Sequence, residues 1–189
     1  MSKKNKKISA GILVIGNEIL SGRTIDKNIY FLALWLNNNL GIKVSEVRIV
    51  PDVESKIVKN VLSLSKSNDY VLTTGGIGPT HDDITSKSIS KAFKKKYIFH
   101  KEAYNILQKY YGNKNFNDPR KKMAKMPSGS KLIYNPSSAA PGFMIKNVIC
   151  LPGVPSILKS MVDNLKNYMS PGLKTHSTTV SVETIESTI

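Results

Sequence analysis

Apolar and polar positions along the chain change period several times, and each change predicts an element. Ile8–Ile15 is almost continuously apolar over the length of a strand and stops at Gly16. Such unbroken apolar strands belong in sheets covered on both faces. After a polar loop, Ile29, Leu32, Ala33, Leu36 and Leu40 recur at helical spacing over Asn28–Leu40, with Gly41 as the stop. Phe31, Leu34 and Trp35 lie off that stripe, which predicts a helix buried on more than one side, with another subunit as one candidate cover. Ile42–Val50 alternates and reads as a second strand, Pro51-Asp52 opens a helix over Val53–Leu64, and Tyr70–Thr74 is a third strand running into a glycine-rich turn. A helix over Ile84–Lys95 would bury Ile89, Ala92 and Phe93. Strand and helix in alternation predict an α/β domain with a mainly parallel sheet.

The rest is less regular. Tyr97–His100 reads as a strand, Glu102–Tyr111 as a helix, and Asn113–Pro127 as a basic loop with a short helix around Arg120–Lys125. Lys131–Tyr134 and Phe143–Cys150 read as strands separated by the loop Asn135–Gly142, and Ser156–Met169 as a last helix stopped by Pro171-Gly172. Thr178–Val182 alternates again, as the start of a strand with nothing to pair with, which suggests a fragment of something longer. The expected organisation is a basic tail over 1–7, one domain over 8–169, and a further small β unit or tail over 170–189.

Composition narrows the class. A chain of 189 residues with 40% hydrophobic and 22% charged residues suits one packed domain. A net charge of +15 favours anionic company: phosphate-bearing ligands, nucleic acid or an acidic membrane face. No apolar run approaches a membrane span, and no signal-peptide core follows the basic start. The single Cys150 excludes an intramolecular disulfide and fits a reducing cytoplasm; it reads as a buried strand residue rather than a reactive thiol. His81, His100 and His176 lack zinc-site spacing. The expectation is a cytoplasmic protein with no membrane partner.

The sharpest chemical signal is Thr73-Thr-Gly-Gly-Ile-Gly-Pro-Thr-His-Asp-Asp-Ile-Thr85, between a predicted strand and a predicted helix. In an open parallel sheet, ligands bind at the carboxyl ends of strands. Gly75, Gly76 and Gly78 let a ligand approach peptide N–H groups, and the following helix adds its positive end, so the loop can cradle phosphate. It lacks the Gly-Lys-Ser/Thr of a Walker loop, and His81 stands where a dinucleotide fingerprint has its third glycine. Asp82 and Asp83 follow at once. A carboxylate beside a phosphate calls for a cation between them, whereas an aspartate just before a helix also serves as an N-cap, worth about 1 kcal/mol. Asp52, at the end of the second strand, carries the same two readings, and Glu18 is a third acidic candidate. Asn135–Gly142 and Leu151-Pro-Gly-Val-Pro155 are turns that could also serve as ligand loops.

Gly16-Asn-Glu-Ile-Leu-Ser-Gly22, Asp26-Lys-Asn28, Thr74–Thr85, Asn135-Pro136, Ala140-Pro-Gly-Phe143 and Leu151–Pro155 occur in that order. The series resembles the MoaB/Mog-type molybdopterin-binding domain, in the form found at the N-terminus of competence/damage-inducible protein A (CinA). It is also similar to the corresponding domain of eukaryotic FAD synthase. The resemblance spans Ile8 to Met169 and implies a Rossmann-like three-layer α/β/α fold, assembled as a homodimer or homotrimer. It carries Gly75, Gly76, Gly78, Pro79 and Thr80 over as the phosphate or pterin loop. Asn28, Ser138, Gly142 and Gly153, in the other motifs, become further substrate contacts. Asp83 and Asp52 match acidic residues that assist chemistry, and Asp83, Asp82 and Glu18 become candidate ligands of a divalent metal (Mg, Mn or Co).

In molybdenum-cofactor relatives the domain binds molybdopterin and adenylates it or inserts molybdate. In the CinA-like branch it is associated with metal-dependent cleavage of nucleotide pyrophosphates such as ADP-ribose or FAD. His81-Asp-Asp and the Leu-Pro-Gly-Val-Pro run favour the hydrolase, with a molybdopterin-binding protein as the alternative. Two departures bear on ligand contacts: Ser138-Ala139 replaces a common Gly-Thr, and Ile157 replaces a common Glu. The amidohydrolase domain of CinA proteins is absent from this sequence, so its activity is not assigned. Nucleic-acid binding is disfavoured, because the lysine runs are not interleaved with aromatics and no reading motif accompanies them.

Overall fold

The structure is a computed structural model and describes residues 7–173. Inside its main sheet lies β1 (Ser9–Ile15), where Leu13 and Ile15 face one side and Ile12 and Val14 the other, each 2% exposed or less. The apolar run on both faces is what places this strand inside the sheet. After it come α1 (Asn17–Leu20), α2 (Asn28–Trp35), β2 (Lys43–Val50), α3 (Glu54–Ser67), β3 (Tyr70–Thr74) and α4 (Thr85–Ala92). The chain then leaves the main sheet for an excursion of β4 (Tyr97–Phe99), α5 (Lys101–Asn115), α6 (Asp118–Lys122) and β5 (Lys125–Pro127). It returns through β6 (Lys131–Ile133), β7 (Gly142–Ile145), β8 (Val148–Leu151) and α7 (Pro155–Met161), followed by a 3₁₀ segment, Val162–Asn167.

The main sheet has the order β2-β1-β3-β8-β7-β6, and β4 pairs with β5 in a separate two-stranded sheet. β2, β1, β3 and β8 run parallel; β7 and β6 are antiparallel additions. Ile57, Val61 and Leu64 of α3, Ile89 of α4 and Leu107 of α5 cover one face. Leu32 and Leu36, with Leu158 and Leu165, cover the other. The fold is therefore a three-layer α/β/α sandwich with a mostly parallel sheet, the parallel sheet as the alternation predicts and the three layers as the resemblance implies. No helix of the described residues is long and apolar enough to cross a membrane.

Some elements differ from the pattern. The stretch over Asn28–Leu40 is an α-helix only to Trp35, and Leu36–Leu40 widens into a π-helical turn. Trp35, off the predicted stripe, lies three residues after Leu32 and is buried with Leu32 and Leu36 in one cluster, 8% exposed. The apolar run Phe143–Cys150 is not one strand: it folds back at Lys146-Asn147 into the hairpin of β7 and β8. The polar pair Lys146-Asn147, with Lys146 at φ 51°, is the one signal of the turn, and the apolar residues on either side of it read as a single strand. The predicted strand at Thr178–Val182 lies outside the described residues.

Candidate functional site

Because β1, β2, β3 and β8 are parallel, their carboxyl ends and the loops that follow share one edge of the sheet. Gly16, Asp52, Gly75 and Gly153 all lie there, one or two residues beyond their strands. The glycine loop is drawn tightly into this edge. Gly75 and Gly76 have φ of 99° and 70°. A Cβ on Gly75 would meet the Ile15 carbonyl at 2.2 Å, and one on Gly76 would meet Thr85 Oγ1 at 2.1 Å. Only glycine satisfies both the backbone angle and the approach. Thr85 secures the loop from α4, its hydroxyl donating to the Gly75 carbonyl (2.9 Å) and its amide to the Gly76 carbonyl (2.9 Å). Among the described residues, the amides of Gly76, Ile77 and Gly78 are not used in the loop's own hydrogen bonding.

Two cavities meet at this loop. The larger, about 600 Å³, lies between the glycine loop, the Asn135–Pro141 loop, the Pro152–Pro155 turn and the excursion. Its walls include Ile77, Pro79, Ala140, Pro141, Val154 and Ile157, so much of it is apolar. Asn135 shapes the second loop: its Nδ2 donates to Ser138 Oγ (2.7 Å) and the Ala140 carbonyl (2.9 Å), while its Oδ1 accepts the Ser137 and Ser138 amides. The smaller cavity, about 230 Å³, is lined by Glu18, Asp52, Asp82 and Asp83 with Gly76 and Thr80. Glu18, Gly76 and Asp83 belong to both.

The carboxylates carry structural duties as well. Asp52 Oδ2 accepts the Asn17 amide at the start of α1 (2.9 Å), and Asp83 Oδ2 accepts the Thr80 amide (2.8 Å) and hydroxyl. Burial pushes the Asp52 carboxyl above its ordinary value; the Asn17 hydrogen bond opposes this, and Glu18, Asp82 and Asp83 push it further up. Hard carboxylate donors suit a divalent cation. As placed, they do not fit one: among the described residues, no group of three or more His, Cys, Asp or Glu side chains could hold a metal ion.

The expected site residues are brought together with two exceptions. Glu18, Gly75, Gly76, Gly78, Pro79, Asp83, Ser138 and Gly153 line the larger cavity, and Asp52, Thr80 and Asp82 the smaller. Asn28 and Gly142 line neither. Asn28, 3% exposed, donates through Nδ2 to the Gly153 carbonyl (2.8 Å) and so positions that turn from behind. Gly142 is buried in β7, where a Cβ would meet the Cys150 carbonyl at 2.5 Å; its requirement is sheet packing. Cys150 is fully buried in β8, and burial pushes its thiol up to about 12 against the opposing effect of the Thr73 hydroxyl, so it is no nucleophile at neutral pH. Sequence reasoning missed Tyr111 and Met123, which the excursion brings into the cleft wall. No local pattern marks them, since a helix far along the chain acquires that position only in the folded molecule.

Residues 11–173 match the family model described as "Probable molybdopterin binding domain". The chain belongs to this molybdopterin-binding domain family. A protein of Archaeoglobus fulgidus is 35% identical over 175 residues, which cover 93% of this chain and 74% of that one. A CinA-like protein of Fusobacterium nucleatum is 38% identical over 162 residues, 85% of this chain but 40% of the relative, so the domain spans well under half of that protein. Among solved structures, the protein CinA from Thermoplasma acidophilum superposes with a TM-score of 0.80 at 31% identity, over 86% of this chain and 98% of its own. The tungsten cofactor synthesizing protein MoaB from Pyrococcus furiosus superposes at 0.56 and 22% identity, over 86% and 92%, and shares the fold.

Proposed function

We propose that this domain binds a molybdopterin-type ligand, with the flat pterin in the apolar cleft and the phosphate on the glycine loop. The observation that carries the reading is the position of the Gly76, Ile77 and Gly78 amides, unspent within the loop and set at the wall of a 600 Å³ cleft. Amides fixed in direction before the ligand arrives cost no reorganisation, which favours an anion there. The role is that of a carrier or adenylating domain in cofactor synthesis. Anaerobic titration with molybdopterin, followed by its fluorescence, tests it. Saturable binding is expected, with loss in Gly76→Val, whose side chain would displace Thr85. Failure to bind molybdopterin removes the reading.

Hydrolysis of nucleotide pyrophosphates such as ADP-ribose or FAD is a second reading, supported by the carboxylate cavity adjoining the same loop. A divalent cation would supply charge neutralisation to a bound diphosphate, but the side chains as placed do not converge on one, and no step is drawn through it. Turnover by chromatography with Mg²⁺, Mn²⁺ or Co²⁺, abolished in Asp83→Ala, would favour this reading over the first. Assembly as a homodimer or homotrimer remains part of the proposal, supported by Val47 and Ile49 of β2, left 39% and 40% exposed. A light-scattering mass of a single chain at micromolar concentration would remove it.

A further inference from the structure

The excursion between α4 and β6 contributes two cleft residues that neither the glycine loop nor the carboxylates account for. Tyr111 ends the regular part of α5, and the next residue, Gly112, leaves helical geometry at φ 69° and ψ 158°. That break turns the chain so that α6 returns alongside. The Arg120 guanidinium then lies 4.3 Å from the centre of the Tyr111 ring and is itself held by a 2.6 Å hydrogen bond from Nη1 to the Asn115 carbonyl. The Tyr110 ring meets Tyr111 edge-on, with centroids 5.0 Å apart and planes at 87°. Tyr111 is therefore braced by two neighbours and lines the cleft together with Met123, a polarisable thioether suited to ring contact. Immediately before Met123, Lys122 donates from Nζ to the carbonyl of Thr80, two residues after the last glycine of the loop. The excursion thus places Tyr111 at the wall of the apolar cleft and an ammonium on the phosphate loop.

We propose that Tyr111 and Lys122 together form a selectivity cap: Tyr111 stacks on the heteroaromatic ring of the ligand, and Lys122 exchanges the Thr80 carbonyl for a ligand phosphate oxygen. The inference rests on the reading of the glycine loop as a phosphate site and adds the part that chooses what is attached to the phosphate. A neutral carbonyl is a weaker partner for an ammonium than a phosphate oxygen, so the exchange favours the bound state. The acidic side chains beside the loop repel a phosphate, and Lys122 offsets that repulsion where the ligand enters. Tyr111 acts on ring-bearing ligands alone, because a bare diphosphate has no face to stack.

The test is calorimetric titration of wild type, Tyr111→Ala, Tyr111→Phe and Lys122→Ala with three probes: dihydroneopterin triphosphate, ADP-ribose and inorganic pyrophosphate. Tyr111→Ala is expected to weaken at least one ring-bearing probe about tenfold while leaving pyrophosphate within twofold, and Tyr111→Phe to restore the ring preference. Lys122→Ala is expected to weaken all bound probes and to flatten their salt dependence. If wild type binds pyrophosphate and a ring-bearing probe but Tyr111→Ala changes neither, or weakens both equally, the cap is wrong and the phosphate loop survives. Binding of no probe by a folded wild type overturns both.

Discussion

At the end of β2 the Asp52 carboxylate accepts the Asn17 amide while standing partly buried among Glu18, Asp82 and Asp83. Its folded pKa is raised, so between the unfolded value, about 3.9, and the higher folded one, the folded chain keeps a proton that the unfolded chain has released. Stability from this group is fully present below the unfolded value and falls as pH rises through the folded one. Asn at this position keeps an acceptor for the Asn17 amide and removes the charge. Asp52→Asn is therefore expected to raise the melting temperature at pH 7, by the equivalent of less than about 1 kcal/mol after solvent screening, and to lose that advantage near pH 3. A melting series from pH 3 to 8 checks this, and equal gains at both ends would contradict it. The same competition explains why Asp82 and Asp83 were ambiguous in the sequence. Whether an aspartate caps, binds or repels depends on which charges surround it in space, and Asp52 lies thirty residues from its acidic neighbours in the loop.

Among the elements, the strands and helices with strong periodicity were legible, and those with mixed signals were not. β1 and α3 follow from unbroken and amphipathic patterns, whereas the β7–β8 hairpin is marked only by the polar pair Lys146-Asn147 between two short apolar segments. The end of α4 shows how local strain escapes a periodicity reading. The Lys95 amide donates to the Ser90 carbonyl (2.8 Å) and the Lys94 amide to the Lys91 carbonyl (3.1 Å), closing the helix around a left-handed Lys94 at φ 52°. This closure favours glycine at the left-handed position, and a lysine there is strained. Lys94→Gly is expected to stabilise the protein by about 0.5–1 kcal/mol, the relief of strain outweighing the added freedom of the unfolded chain. Chemical denaturation measures it; a lower midpoint would show that the Lys94 side chain matters more than its backbone.

For the whole molecule, charge is the distinctive quantity. The chain carries +15, and the stretch from 94 to 131 holds 11 Lys or Arg against two acidic residues. Self-repulsion of this kind weakens the compact state and is screened by salt. Raising sodium chloride from about 20 mM to 300 mM, where the screening length falls well below the molecular diameter, is expected to lift the melting temperature by several degrees. An unchanged value would mean that the lysines are already neutralised by their neighbours. The sequence alone determined the alternation of elements, the glycine loop and its place after β3, because hydrophobic period and glycine placement act over a few residues. Only the tertiary structure decided which loops share a cavity, that Asn28 and Gly142 lie outside its lining, and that Tyr111 and Met123 join it. Those relations join positions a hundred residues apart through sheet order and a helix break, and no local pattern contains them.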